Sequence, residues 1–160
     1  MSGAGERPAL TLSSSAHRRA VLGLQALWPG RRFAGDAGVG AALRAMHALQ
    51  LDPLNVAARS QDIALHGRIL DYTPEALGRA AYARREAFDY GDWLSLYPIE
   101  TFRFWRTLMK RVKRKPYFAE FRAKYPTAMR DAKRALRENG PMTNRDFRGS
   151  PLGEIGRAHV

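Results

Sequence analysis

Apolar residues recur at intervals of three and four along most of this chain, which is the spacing of one face of an α-helix. The longest stripes run from Ala16 to Trp28 and from Ile99 to Val112. Helix-breaking residues interrupt the pattern at Pro29-Gly30, Pro116, Pro126 and Asn139-Gly140-Pro141. No stretch reaches the ~18 consecutive apolar residues of a membrane-spanning helix. The sequence therefore predicts a mainly α fold built from short helices that pack on one another.

Local signals predict several helix starts and one short strand. Ser13 is the first of three serines that can cap a first helix, and Asp36 is predicted to cap a second. Thr73-Pro74-Glu75 combines a cap, a proline at the first helical position and an acid near the positive end of the helix dipole. Residues 86–90 can form a strand, with a turn at Gly91-Asp92. Helices followed by a small β-hairpin are typical of a winged helix-turn-helix.

The composition narrows the chemistry that the chain can perform. It has no cysteine, which excludes disulfides, cysteine–zinc sites, iron–sulfur clusters and thiol catalysis. The histidines at positions 17, 47, 66 and 159 share no metal-ligand spacing, so we expect neither a metal site nor another cofactor. With 160 residues, of which 45% are hydrophobic, the length fits one ordinary domain or a small domain plus part of another.

Positive charge is concentrated in one part of the chain. The formal net charge is +12, yet residues 1–100 contribute only +1. Residues 103–139 hold 13 basic and 3 acidic side chains, a net of +10. Such clustering is typical of proteins that neutralise phosphates, so we expect a nucleic acid as the partner. The predicted DNA-binding side chains of this stretch are Arg103, Arg106, Lys110, Arg111, Lys113, Arg114 and Lys115.

Two other interpretations of the basic stretch stay open. It can be a solvated face, or it can lie on an anionic membrane surface. Arg103 and Arg106 mix with the apolar face that a membrane-bound helix needs, and this face is better suited to packing on protein. We therefore expect no membrane partner.

The segment Ala48–Ser60, which reads ALQLDPLNVAARS, resembles the interstrand-crosslink-repair DNA glycosylases, the YcaQ-like winged-helix family. That family carries a Gln-apolar-Asp or Gln-apolar-Gln motif, which Gln50 and Asp52 match. The continuation of the motif is matched by Asn55, Val56 and Arg59. The resemblance covers about residues 10–148, and the segment from Gln50 onward is its specific part.

The resemblance implies a DNA glycosylase that hydrolyses the N-glycosidic bond of N7-alkylated or crosslinked purines. Asp52 would stabilise the cationic sugar and activate water, and Gln50 would position that water. Because residues two apart on an extended segment face the same side, these side chains are expected to share one site, with Leu51 turned into the core. The resemblance also makes Asn55 and Arg59 DNA-binding residues. We expect a cytoplasmic, nucleoid-associated monomer.

The same residues also allow structural roles. Asp52-Pro53 is a common helix start, in which the carboxylate accepts hydrogen bonds from backbone N–H groups. Gln50 can be a polar residue that ends a helix. Arg59 can form a salt bridge with Asp62 or Asp71.

The sequence departs from the family pattern at two places, and an alternative function stays open. The family has a histidine after its acidic-aromatic pair, whereas this chain runs from Phe88 to Pro98 without one. The family often has histidines after the residue that Arg59 matches, where this chain has Gln61-Asp62. The alternative is a non-catalytic winged-helix DNA-binding protein, such as a transcriptional regulator.

The expected organisation is that of an N-terminal fragment in five parts. A loose tail covers residues 1–11, and a winged-helix domain with the Gln-x-Asp motif covers residues 12–100. A basic helical connector follows at residues 101–139. Residues 140–153 are the start of a second, truncated winged-helix unit, because they open like that unit of the family. Residues 154–160 are expected to be a non-native tail, since they read like the translation of a sequencing adapter.

Overall fold

The computed structural model describes residues 11–90, 94–143 and 145–147. Over these residues the protein is mainly helical, with 54% helix and small sheets, which confirms the predicted fold class and is consistent with a winged-helix-like fold. The chain divides into two compact units, Met1–Arg103 and Phe104–Val160. Within the described residues, no helix is both long enough and apolar enough to cross a membrane.

The first unit alternates short helices with very short strands. Its elements are α1 (Ser14–Leu24), β1 (Phe33–Ala34), α2 (Gly38–Met46), β2 (Leu49–Gln50), α3 (Ser60–His66), β3 (Ile69–Leu70), α4 (Pro74–Gly78), β4 (Ala87–Asp89) and β5 (Ser95–Pro98). A π-helical turn at Arg79–Ala83 extends α4, and a 3₁₀ turn at Ile99–Thr101 follows β5.

The strands of this unit form two small sheets. Strands β4 and β5 pair antiparallel, with Phe88 opposite Tyr97, so the predicted hairpin is present. Its predicted turn at Gly91-Asp92 lies outside the described residues. Strand β2 adds to the other side of β5, which gives the order β2-β5-β4, while β1 and β3 pair in parallel. From α2 to β5 the order is therefore a helix, a strand, a helix, a strand, a helix with its π-helical extension, and the hairpin.

The core of the first unit is formed where α2, α3 and β3 meet the three-stranded sheet β2-β5-β4. Val39, Leu43, Leu65 and Ile69 are its largest fully buried side chains. The apolar spacing of α2 accounts for the first two, which lie four residues apart on one helix face. Leu49 of β2 is also buried, so the residues that follow it start at the edge of this core.

The predicted caps are only partly correct. The Ser13 hydroxyl accepts a hydrogen bond from the N–H of Ala16 (3.2 Å), as predicted. Asp36 does not cap α2, whose N-cap is Ala37 without a side-chain bond. The Asp36 carboxylate instead pairs with Arg79 and Arg84, because a guanidinium offers it a bidentate, charged partner.

The second unit is helical over its described residues. It contains α5 (Phe102–Val112), whose first two residues belong to the first unit, α6 (Pro116–Lys124) and α7 (Ala128–Asn139). Beyond α7, the Asp146 carboxylate accepts hydrogen bonds from the N–H and the hydroxyl of Thr143, which lowers the pKa of Asp146. The rest of the expected second winged-helix unit, the N-terminal tail up to residue 10 and residues 154–160 lie outside the described residues.

Candidate active site

A cavity of about 840 Å³ opens in the first unit beside the segment that follows β2. One wall comes from residues 51–62, and the others come from α4, its π-helical extension and β5. Leu77, Ala81 and Leu96 supply apolar surface. The polar side chains of the lining are Asp52, Asn55, Arg59, Gln61 and Asp62, apart from the Tyr82 phenol at the edge. A cavity of this size with a few convergent polar groups is typical of a ligand site.

Asp52 is held in place from two sides. Its N–H donates to Oε1 of Gln61 (3.1 Å), and its Oδ1 accepts from the N–H of Leu54 (2.8 Å). The second bond closes a short turn in which an aspartate side chain binds the backbone two residues on. One carboxylate oxygen therefore fixes the turn at Pro53, while the residue as a whole is half-buried and lines the cavity.

Asp52 was considered above as a helix cap, and the structure shows it as a turn residue instead. Its carboxylate does accept a backbone N–H, but no helix begins at Pro53, because α3 starts only at Ser60. An isolated bridge between Asn55 and Arg59 closes the intervening loop, which is not helical. Asp52 is thus a turn residue in a cavity wall.

Gln50 and Leu51 follow the alternation expected of an extended segment. Leu49 is buried and Leu51 packs against the core, whereas Gln50 is exposed at the end of β2 opposite Ser95. The predicted inward orientation of Leu51 is therefore observed. The cavity lining includes Leu51 and Asp52 but, among the described residues, does not include Gln50.

Asn55 and Arg59 lie together at the cavity, joined through their backbones. Both are exposed. The salt bridge considered for Arg59 is not formed: among the described residues no carboxylate pairs with its guanidinium. A cation at this position is available to a phosphate.

Three residues of the site were not predicted from the sequence. Gln61 is buried, with 7% of its surface exposed, and its side chain holds the backbone of Asp52. Asp62 accepts a hydrogen bond from the hydroxyl of Tyr72 (2.7 Å). Burial, followed by this bond to Asp62, raises the pKa of Tyr72, so the phenol stays protonated and donates. Only the position of Gln61-Asp62 directly after Arg59 could have drawn attention to them.

The predicted phosphate-binding side chains of the basic stretch are all exposed. On α5, Arg103, Arg106 and Lys110 are three and four residues apart and share one face. Trp105, Met109 and Val112, which share the opposite face, are half-buried. The remaining cations are Arg111 near the end of α5 and Lys113, Arg114 and Lys115 directly after it. The basic face of α5 therefore points to solvent.

Comparison with known proteins identifies the family of this chain. A family model described as DNA glycosylase AlkZ-like matches residues 43–153, which is more than half of the sequence. No curated protein and no solved structure matches it. The family match confirms the glycosylase resemblance of the sequence, and it implies a hydrolase class with DNA as partner. The chain that carries the Asp52 cavity belongs to the AlkZ-like DNA glycosylase family.

Proposed function

We propose that this protein hydrolyses the N-glycosidic bond of N7-alkylated or crosslinked purines in double-stranded DNA. The observation that carries the proposal is Asp52, a half-buried residue in the wall of a cavity large enough for a modified base, whose backbone N–H is bonded to Gln61 and whose carboxylate is bonded to Leu54 N–H. This cavity lies within the part of the chain that matches the DNA glycosylase family.

The chemistry of an N7-alkylated purine explains why a single fixed carboxylate is useful. Alkylation leaves the base cationic, so the bond between N9 and C1′ can break without a general acid, and its electron pair neutralises the departing base. Positive charge then develops on the deoxyribose. Asp52 stabilises that charge, and it accepts the proton of the water whose oxygen forms the new bond to C1′. A glycosidase that must protonate an oxygen leaving group needs a second carboxyl group in its acid form.

We assign to Gln50, on the family resemblance, the role of holding the attacking water, although it is not among the described residues that line the cavity. It lies two residues before Asp52 on the side of the strand that does not face the core. Its amide has one donor and one acceptor group, which is what a water needs to be oriented. Asn55 and Arg59, exposed at the cavity, are the residues that we assign to the DNA backbone beside the lesion.

The test is a single-turnover assay of base release from a duplex with one N7-methylguanine. Asp52→Asn keeps an oxygen that can accept from Leu54 N–H, so the turn is retained while the charge is lost. We expect the rate to fall by about 100-fold or more, the scale of losing one electrostatic stabiliser of a transition state. Affinity for undamaged duplex should change little.

Asp71→Asn is the matched control, because Asp71 is exposed and does not line the cavity. It removes the same charge from the same unit and should leave the rate unchanged. Undiminished release by Asp52→Asn would remove Asp52 from the mechanism. DNA binding without any base release by the unaltered chain would favour the non-catalytic alternative.

A further inference from the structure

The wall of the cavity contains a second carboxylate, Asp62, which the proposed mechanism does not use. It is the third residue of α3 and is half-buried. Its Oδ1 accepts the hydroxyl of Tyr72 (2.7 Å), which fixes the orientation of the group. Among the described residues, no donor is bonded to its Oδ2.

A structural role accounts for only part of this arrangement. An acid in the first turn of a helix is favoured by the helix dipole, and the bond to Tyr72 satisfies one oxygen. Neither effect requires the carboxylate to line a cavity. Taking a carboxylate partly out of water is unfavourable unless it is paired, and Arg59, three residues earlier, makes no ion pair with it.

Gln61 adds a fixed polar group to the same wall and links the two carboxylates. Because a backbone N–H can only donate, the bond from Asp52 N–H fixes Oε1 of Gln61 on that side and leaves Nε2 on the other. The side chain is more than nine-tenths buried and lines the cavity, yet Nε2 donates to no described residue. The same bond joins the start of α3 to the Asp52 turn, so Asp52 and Asp62 lie on one wall.

We propose that Asp62 is a second catalytic carboxylate, which contacts the cationic deoxyribose together with Asp52, and that Tyr72 is the positioning residue that orients it. This inference rests on the proposed glycosylase function. The two carboxylates face a substrate that is positively charged before and during bond cleavage, so neither has to be protonated. Tyr72 donates a hydrogen bond without adding a net charge, and therefore reduces the negative potential at the sugar less than a paired cation would.

The test compares two duplexes that mimic the sugar after base loss. One carries a pyrrolidine abasic analogue, which is protonated at neutral pH, and the other carries the neutral tetrahydrofuran analogue. The measured quantity is the ratio of their Kd values for the full chain. A carboxylate that contacts the sugar increases the preference for the cation, because transition-state mimics are bound by the groups that stabilise the transition state.

Asp62→Asn should reduce the preference for the cationic duplex roughly tenfold, the size expected for removing one nearby charge at a partly solvated site. Its affinity for the neutral duplex should stay the same, which also shows that the variant is folded. Tyr72→Phe should cause a smaller loss in the same ratio. Asp71→Asn, which removes an equal charge outside the cavity, should retain the full ratio.

The outcomes separate the two levels of the proposal. If the unaltered chain does not prefer the cationic duplex, the proposed glycosylase chemistry fails and this inference fails with it. If the unaltered chain shows the preference and Asp62→Asn retains it, only the role of Asp62 is overturned. Should Asp62→Asn not fold, Tyr72→Phe decides, because it removes a single hydroxyl: an unchanged ratio overturns the inference.

Discussion

Asp36 is the centre of the densest group of ion pairs in the first unit. Its carboxylate accepts from Nε of Arg79 (2.8 Å) and from Nη1 of Arg84 (3.0 Å), and its backbone carbonyl also accepts from Arg84 (2.9 Å). Arg84 in turn pairs with Glu86 (3.0 Å). These contacts join the residues before α2 to those after α4. They hold together two elements that form two sides of the core.

The titration of Asp36 predicts how this group stabilises the fold. The hydrogen bond from Arg79, followed by that from Arg84, lowers the pKa of Asp36 from 3.8 to about 2. A carboxyl group with a lower pKa in the folded state contributes stability above its unfolded pKa, and that contribution is lost as the pH falls through the folded pKa. We expect Asp36→Asn to lower the urea midpoint at pH 7, and the gap to the unaltered chain to narrow between about pH 4 and pH 2.

Circular dichroism in urea at several pH values measures this effect. Asp89→Asn is the control, since Asp89 is exposed and makes no ion pair with a described residue. A difference between the Asp36→Asn chain and the unaltered chain that is the same at every pH would contradict the assignment.

Gly38, the first residue of α2, is a place where a Cβ would make a tight contact. A Cβ there would lie 3.0 Å from Cβ of Phe33 and 3.5 Å from Cγ2 of Ile69, both in the paired strands β1 and β3. Alanine favours a helix over glycine by about 0.5–1 kcal/mol, whereas overpacking costs about 1–3 kcal/mol. We expect the clash to dominate, so Gly38→Ala lowers the free energy of unfolding by about 1–2 kcal/mol.

Gly23 in α1 is the control for this measurement, because a Cβ at this position has free space around it. No atom lies within 4 Å of the position that a Cβ would take at this residue, so Gly23→Ala gains helix propensity without a clash. Urea unfolding should show the Gly23→Ala chain at least as stable as the unaltered one. Equal effects of the two substitutions would mean that the approach of β1 to α2 is not tight.

Among the helices, α5 has its packed apolar side chains and its basic side chains on different faces. Its half-buried face contains Trp105 and Met109, and its exposed face contains Arg106 and Lys110. If the exposed face binds phosphates, each neutralised phosphate adds about 0.9 to the slope of log K against log salt concentration. We therefore expect the double variant Arg106→Gln with Lys110→Gln to reduce that slope by about 2 on undamaged duplex.

Fluorescence anisotropy at several salt concentrations gives the slope directly. Arg18→Gln in α1 is the control, because it removes an exposed cation outside the basic stretch. A slope that falls equally in the control and the double variant would show that α5 has no special part in binding.

Local patterns predicted those elements whose causes are local. Thr73-Pro74 does begin α4, and the strand near Phe88 pairs in the predicted hairpin, because proline geometry and alternation act within a few residues. Asp36 was assigned to a helix cap since its true partner, Arg79, is 43 residues away. The bond between Tyr72 and Asp62 likewise depends on how the chain returns after α3, which no local pattern encodes.

The Gln-x-Asp motif could be found from the sequence, but the contacts that Asp52 makes could not. Asp52 was singled out by the Gln-x-Asp resemblance, and the structure places it in a cavity wall. That the residue closes a turn onto Leu54 follows from the late start of α3. For Gln61 the only signal was its place shortly after Arg59, because its role, to accept the backbone N–H of Asp52, depends on how the chain folds and not on a local pattern.

On the scale of the whole molecule, charge and candidate chemistry occupy different parts of the chain. Residues 1–100, which contain the cavity, carry a net charge of +1, and residues 103–139 carry +10. If the basic stretch binds phosphates, those contacts are the same before and during bond cleavage, and we expect them to contribute to DNA affinity and not to the chemical step. Asp52, in contrast, is expected to contribute to the rate of the chemical step and not to DNA affinity.

This division predicts how salt acts on the reaction. As the salt concentration rises from about 50 to about 200 mM, Kd for the N7-methylguanine duplex should increase steeply, by about tenfold or more for every two to three phosphates neutralised. The single-turnover rate at saturating protein should stay nearly constant over the same range, because contacts to phosphates are made equally before and during bond cleavage. Asp52→Asn should lower that maximal rate at every salt concentration and leave the salt slope of Kd intact. A maximal rate that falls in parallel with affinity would instead make the basic stretch part of the catalytic machinery.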